Sequence, residues 1–274
     1  SLWLGDVYKK QRMSSPTDIW SASDYAPTAA RLQPVSALVA TQLAQFVESP
    51  ATVADIGSGH GEGVAALLAQ GYTVTAIEPT GRIRESGQKH APEATWIDTF
   101  GEATGLEAAS VDAVTSTFGT MFCDPTKGPA EWARILRSGG TLMMTAWNHE
   151  GFLATMTDAM SEAVSPGSST QTPPHMAWGV DEVAHERLSP WFDHISIEHL
   201  DLDWSFESVE EGMQLYREGS PTHAWMADNS GARREALWTA LRDHLEAHAD
   251  DSGRINSTTG YALVTAQRRR DTGR

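Results

Sequence analysis

Cysteine is nearly absent: Cys123 is the single one among 274 residues. That excludes an internal disulfide, and nothing points to an oxidising compartment. Long apolar runs are absent too, none approaching the ~20 residues that cross a bilayer, and the N-terminus has no apolar signal-peptide core. Positive charge is in short supply, with 20 Lys and Arg against 36 Asp and Glu and a formal net charge of −16. Nucleic-acid affinity comes mainly from cations that neutralise phosphates, so neither DNA nor RNA is expected as substrate. The expectation is a cytoplasmic monomer or homodimer with no membrane and no nucleic-acid partner. Metal is not expected either, because His185, His194 and His199 are scattered without a neighbouring cysteine or paired acid.

What is present is an ordinary globular balance of 40% hydrophobic and 20% charged residues. This length suits one large α/β domain, or a core domain with a smaller cap. Residues 1–13 differ in character from the rest of the chain and read as a leader outside the fold. Arg268, Arg269, Arg270 and Arg274 form a basic tail over 268–274 that reads as a solvated terminus.

Between these ends the hydrophobic pattern alternates. Val35, Leu38, Val39, Leu43, Phe46 and Val47 recur at helical spacing and predict a helix over 34–48. A short apolar run at 52–56 breaks into glycines, and Val64, Leu67 and Leu68 resume a helical period. Strands are expected at 73–77, 95–97, 112–115 and 141–146, with helices over 82–90 and after Pro129, the latter ending at Gly139-Gly140. This alternation implies a parallel sheet covered by helices on both faces. Further on, a helix over 152–164 leads into a Ser-, Thr-, Gly- and Pro-rich loop over 165–174. Late strands at 195–204 and 260–267 enclose two helices, one starting at Ser208 with Glu211 at capping-box spacing, the other over 232–248 with Leu237, Leu241 and Leu245 in one stripe.

The strongest local signal is Asp55-Ile-Gly57-Ser-Gly59-His-Gly61, where the first strand meets the first helix. Glycines there let the backbone turn tightly and approach a ligand with no Cβ in the way. A pyrophosphate-binding turn expects a third glycine where Glu62 stands, although Gly63 permits a variant one residue longer. An acid two residues before the first glycine suits a ligand that carries an ammonium group. Glu78 ends the second strand about twenty residues on, where a carboxylate accepts from both hydroxyls of a ribose.

Together these residues resemble the class I S-adenosylmethionine-dependent methyltransferases. The segment from Val53 through Gly61 is similar to the family's first motif and Ala76-Ile-Glu78-Pro79 to its acidic motif. Gly101-Glu102-Ala103-Thr104-Gly105-Leu106, Ser110-Val111-Asp112-Ala113-Val114 and Leu136-Arg-Ser-Gly139-Gly140 resemble later motifs of the branch that includes ubiquinone/menaquinone-biosynthesis and trans-aconitate-type methyltransferases. The resemblance implies a Rossmann-like seven-stranded sheet in the order 3-2-1-4-5-7-6 with strand 7 antiparallel, and S-adenosyl-L-methionine as cofactor. It also implies one domain over 14–267, with an N-terminal lid (14–48) and an α-helical cap from insertions at 150–191 and 208–250. In that frame Asp55, Gly57, Gly59, Gly61 and Thr117 surround the methionine end, Glu78 holds the ribose, and Pro79 and Ile83 pack on the adenine. Phe100 stands where many relatives have an Asp that accepts from the adenine, so Phe100 is expected to give apolar contact while backbone near Gly101 and Glu102 reads the base. The lid would bring Trp20, Tyr25 and Arg31 over the site, with Arg31 on the cofactor carboxylate.

Acceptor pockets in this family lie beyond strands four and five. The residues expected there are Phe118, Met121, Phe122 and Trp147, joined by Met176, Trp178 and Trp225 from the later region and by Trp20. Their aromatic and methionine character suits a small apolar or aromatic acceptor. Methyl transfer is an in-line displacement that depends on orientation, and it needs a base only for acceptors that start protonated. His149 is the first candidate base and His223 the second, as imidazoles titrate near neutrality. Two other readings stand: a nicotinamide-dependent oxidoreductase, loosely allowed by Gly57, Gly59 and Gly63, and a non-catalytic module that binds S-adenosylmethionine, which Phe100 leaves open.

Overall fold

The computed structural model describes residues 16–167 and 176–271, so residues 1–15 of the chain, residues 168–174 of the 165–174 loop and Arg274 lie outside the described residues. The chain divides into two compact units. A sheet unit comprises 32–147, 178–200 and the segment from 261. A helical unit comprises the described residues up to 31, those of 148–177, and 201–260.

In chain order the elements are α1 (Pro16–Trp20), α2 (Ala26–Leu43), β1 (Thr52–Ile56), α3 (Glu62–Ala69), β2 (Thr73–Ile77), α4 (Gly81–His90), β3 (Thr95–Ile97), β4 (Val111–Thr117), α5 (Lys127–Ile135), β5 (Leu136–Trp147), α6 (Phe152–Val164), α7 (Asp181–Leu188), β6 (Phe192–Asp203), α8 (Val209–Glu218), α9 (Pro221–Asn229), α10 (Arg234–Ala247) and β7 (Thr258–Arg268). The sheet order is β3-β2-β1-β4-β5-β7-β6. β1, β2, β3, β4 and β5 pair in parallel, and β7 runs antiparallel to β5. The expected order and the reversed strand are both found.

Residue type explains the layering. β1, β4 and the second half of β5 are buried almost continuously, as central strands covered on both faces must be. Val39, Leu43, Val64 and Leu67 from α2 and α3 pack with Val53, Val74 and Met143 of the sheet. Each such aliphatic side chain contributes roughly 1.5–3 kcal/mol by leaving water. In the helical unit Leu237, Leu241 and Leu245 are fully buried, as their stripe predicts, and Gly212 of α8 lets its backbone approach Leu245.

Several boundaries differ from expectation. α2 starts at Ala26 rather than 34 and carries Pro34 inside it. Proline forfeits one backbone hydrogen bond without ending a helix whose remaining turns are anchored by buried side chains. α5 stops at Ile135, and Gly139 and Gly140 lie within β5 beside an irregularity in the β4–β5 register. A Cβ on Gly140 would sit 2.9 Å from the carbonyls of Arg137 and Asp112, so glycine there admits the close strand approach. Three helices, not two, separate β6 from β7. α9 is the additional one, with Ser220 and Pro221 at its start and no clean apolar stripe.

Candidate functional site

Five adjacent parallel strands present their C-terminal ends at one edge of the sheet. The chain leaves β1 through Gly57 (φ +67°), Gly59 (φ +57°) and Gly61 (φ +94°), left-handed conformations in which a side chain is strained. The Gly57 and Ser58 N–H groups both donate to the Ile77 carbonyl, at 2.9 and 3.1 Å, which ties the turn to β2. The Ser58 hydroxyl donates to the Asp55 carbonyl and accepts from the Ile77 N–H. From β4 the backbone of Gly119 presses on the turn: a Cβ there would lie 2.5 Å from the Ile56 carbonyl and 2.9 Å from Gly57 Cα.

Two carboxylates flank this turn from inside. Asp55 is 4% exposed, and its Oδ1 accepts from the Thr115 hydroxyl at 2.8 Å across the β1–β4 register. Burial pushes its pKa up to about 6, against the lowering effect of Thr115 and with some help from the charge of Glu78. Glu78 is 7% exposed, with Oε2 accepting from Gly59 N–H at 3.1 Å and Oε1 from Thr80 N–H at 2.8 Å. Burial raises its pKa too, although both amides and Arg84 oppose the rise. The Arg84 guanidinium bonds the Glu78 carbonyl and pairs with Asp98, so neither flanking carboxylate has an ion pair of its own among the described residues. Buried anions without a counterion favour a cationic guest, which replaces the lost hydration.

Beyond Glu78, Pro79 is half-buried and Ile83 buried, while Phe100 and Phe122 are 38% and 42% exposed. Gly101 is buried and Glu102 half-buried. Burial, and then the nearby Glu102, push the Cys123 thiol well above its usual range, so it stays a neutral packing group.

Past Thr117, which is half-buried, Phe118 takes a left-handed backbone (φ 60°), a strained state for a bulky residue that costs roughly 1–2 kcal/mol. Its N–H donates to Thr145 Oγ1 at 3.1 Å. Its ring stacks on Trp147 with centroids 3.9 Å apart and planes 15° apart, and Tyr261 of β7 meets it edge-on at 5.8 Å. Met121 is buried. Trp178 is fully buried beside Trp132, with the Arg187 guanidinium 4.6 Å over its ring.

The remaining expected residues belong to the helical unit. Trp20 and Tyr25 meet edge-to-face at 5.4 Å. Arg31 pairs with Glu211 at 2.9 Å, donates to the Ser205 carbonyl at 2.8 Å and lies 4.4 Å over Phe206. His223 Nδ1 is 2.7 Å from the Ser220 hydroxyl, and burial lowers its pKa to about 4. Met176 and Trp225 are buried. His149 is exposed, 3.6 Å from Glu150. Among the described residues no cluster of three potential metal ligands occurs, and no helix is long and apolar enough to cross a membrane.

Sequence reasoning missed Thr115, Gly119 and Tyr261. Thr115 faces Asp55 only through strand register, and Tyr261 reaches Phe118 only through the antiparallel return of β7. Gly119 left a readable trace as a glycine directly after the fourth strand, where a close backbone approach is the usual reason for one.

Residues 54–144 match the family model described as a methyltransferase domain. An uncharacterized protein of Mycobacterium tuberculosis is 28% identical over 187 residues, 65% of this chain and 65% of that protein. The chain thus matches a little under two thirds of the length of such curated relatives. An uncharacterized methyltransferase of Mycobacterium bovis is 31% identical over 96 residues, covering 35% of this chain and 39% of that one. Among solved structures, the YcgJ protein of Bacillus subtilis shares the fold with a TM-score of 0.54 at 15% identity, covering 85% of this chain and 99% of that one. Haemonchus contortus phosphoethanolamine N-methyltransferase 2, in complex with phosphomonomethylethanolamine and S-adenosylhomocysteine, shares it with a TM-score of 0.52 at 17% identity, covering 83% and 51%.

Proposed function

We propose that this chain, whose residues 54–144 match a methyltransferase domain, is a class I S-adenosylmethionine-dependent enzyme that moves a methyl group from S-adenosylmethionine to an oxygen, nitrogen or carbon of a small apolar or aromatic acceptor. The observation that carries the reading is the pair of buried, uncompensated carboxylates, Asp55 and Glu78, around a turn of three left-handed glycines. This donor set fits the cofactor, which combines an ammonium, a sulfonium and a ribose diol. When bound, the cofactor supplies an electrophilic methyl group on a positively charged sulfur.

Each residue then has a definite task. Asp55, with Gly57, Gly59, Gly61 and Thr117, receives the amino-acid end. Glu78 already accepts two backbone N–H bonds, which fix its carboxylate for the ribose hydroxyls. Pro79, Ile83 and the exposed ring of Phe100 cover the adenine faces, and backbone at Gly101 and Glu102 meets its edge. The Phe118–Trp147 stack, braced by Tyr261, is a flat apolar wall for the acceptor, and holding the acceptor in line supplies much of the acceleration. Phenolic acceptors need a base, for which His149 remains the candidate; acceptors that are already nucleophilic need none. His223, neutral at pH 7 and tied to Ser220, is better suited to hydrogen bonding than to proton removal.

The nicotinamide reading asks a pyrophosphate to approach the turn where Gly63 faces both Asp55 oxygens, at 3.7 and 3.9 Å from a Cβ position, and a second anion there is repelled. Calorimetry separates the readings. S-adenosylhomocysteine should bind and NADH should not; the reverse pattern overturns the proposal. Transfer from labelled donor to a panel of phenols, amines and carboxylic acids then identifies the acceptor class.

A further inference from the structure

The base-reading loop, residues 99–106, has no side-chain carboxylate at the position of Phe100, yet it is held from behind with unusual completeness. Three consecutive tethers come from one helix, α5. Trp132, fully buried, donates its indole N–H to the Gly101 carbonyl at 2.9 Å. Glu131 accepts from both the Thr104 N–H, at 2.9 Å, and the Thr104 hydroxyl, at 2.5 Å. Arg134 bonds the Leu106 carbonyl at 2.7 Å and forks onto Glu131 at 2.6 and 2.8 Å. Gly101 is also wedged from the other side. A Cβ on it would collide with Ile56 and come within 2.8 Å of Cys123 Sγ.

We infer that Trp132, Glu131 and Arg134 are positioning residues for nucleoside recognition. They fix the peptide planes of 101–106 so that backbone, in place of the missing carboxylate at position 100, presents a preformed edge to the base. This rests on the cofactor reading proposed above. The physical reason is pre-organisation: a loop that reads a ligand through its main chain must hold its geometry before the ligand arrives, or the ordering cost comes out of the affinity. The tether pattern fits that purpose, since all three side chains bond main-chain groups of the loop or Thr104, and none is placed on the ligand. Burial sharpens the dependence. Removing the indole N–H leaves the Gly101 carbonyl without its donor inside the protein, where an unsatisfied group is costly.

The test uses the full chain with Trp132→Phe, Glu131→Gln and the exposed Arg134→Met, with Arg137→Ala as a control that breaks a different ion pair, on Asp112. Two measurements are made: hydrogen exchange over 99–106 in the free protein, and S-adenosylhomocysteine affinity by calorimetry. Trp132→Phe should speed exchange in the loop and weaken binding about tenfold, with Arg134→Met showing a smaller change of the same sign. Once an acceptor is known, KM for the cofactor should rise with kcat nearly unchanged, the signature of lost ground-state binding. Arg137→Ala should leave loop exchange and affinity as they were. If Trp132→Phe fails to fold, Arg134→Met and Glu131→Gln carry the test. Unchanged exchange and affinity in folded variants would overturn the positioning role while leaving the cofactor reading intact. A parent chain that does not bind S-adenosylhomocysteine overturns both.

Discussion

The two units treat buried polarity in opposite ways. In the sheet unit Asp55 and Glu78 are buried with hydrogen bonds but, among the described residues, no ion pair of their own, and both carboxyls are pushed toward the neutral state. In the helical unit Arg31 has Glu211, Trp204 Nε1 donates to the Tyr216 hydroxyl at 2.8 Å, and His223 has Ser220. Among the described residues His244 departs from this pattern: its Nε2 is buried without a hydrogen-bond partner, and its pKa falls to about 4 through burial and the neighbouring His248. An internally satisfied network stabilises its own fold. An anionic pair left uncompensated costs stability until something positive arrives, a contrast that fits the proposed division of labour between scaffold and ligand site.

The most severe way to break the contrast is to remove the ribose carboxylate. Glu78→Ala should weaken S-adenosylhomocysteine binding about 100-fold, since charge-assisted bonds to both hydroxyls go and the Gly59 and Thr80 amides lose their acceptor. Isothermal calorimetry reads this directly, and a loss under threefold would remove Glu78 from the site.

Next in size is pH. Asp55 is raised from 3.8 to about 6, so its unliganded contribution to stability is present below 3.8 and lost as pH rises through about 6. A cationic ligand needs the ionised form, so affinity should fall about tenfold between pH 7 and pH 5 while the free sheet unit becomes slightly more stable. Asp55→Asn should flatten both trends. The helical unit should respond with the other sign. His223 and His244 are lowered from 6.5 to about 4, so the stability they contribute is present above 6.5 and lost as pH falls toward 4. Hydrogen exchange at pH 7 and pH 5 should therefore show helices α8 to α10 loosening as β1 and β4 tighten; a common direction in both units would contradict the assignment.

A smaller effect is expected at Arg31. Arg31→Met removes the Glu211 pair and the Ser205 bond, and should cost about 1 kcal/mol of stability with affinity unchanged. A tenfold loss of affinity with stability intact would instead return Arg31 to the cofactor carboxylate, as the family resemblance implies.

Much of the sheet unit was legible in the sequence because its constraints are local. Strand runs at 52–56 and 73–77 alternate with helices at short spacing, and a glycine turn between an acid and a helix declares itself without any distant contact. What escaped notice acts through space. Thr115 reaches Asp55 by register, Gly119 meets Gly57 across two strands, and Trp132 meets Gly101 from a helix thirty-one positions on. In the helical unit Ser208 did announce its helix, its hydroxyl accepting the Glu211 N–H at 3.2 Å. α9 did not, because its nine residues open on a proline and then bury only small Ala224 and Ala227 beside Trp225 among Thr222, His223, Asp228 and Asn229, a weak apolar period. The surroundings of Trp178 were not legible for a related reason: Trp132 and Arg187 reach its ring only through the fold.

The Gly57–Gly119 contact has a consequence for engineering. The glycine turn proposed to hold the cofactor and the peptide that leads into the proposed acceptor wall share a joint with no side chain between them, so neither can be enlarged alone. A library that seeks new acceptors should hold residues 57 and 119 constant and diversify Met121, Phe122, Trp147 and Tyr261. Accommodating a bulkier transferable group by widening the joint would demand a compensating retreat of β4 from β1, and that displacement would unseat the Thr115 hydroxyl from Asp55. A side chain at either glycine is thus the change this edge of the sheet tolerates least, with a Cβ falling 2.8 Å from Gly119 Cα in one case and 2.5 Å from the Ile56 carbonyl in the other.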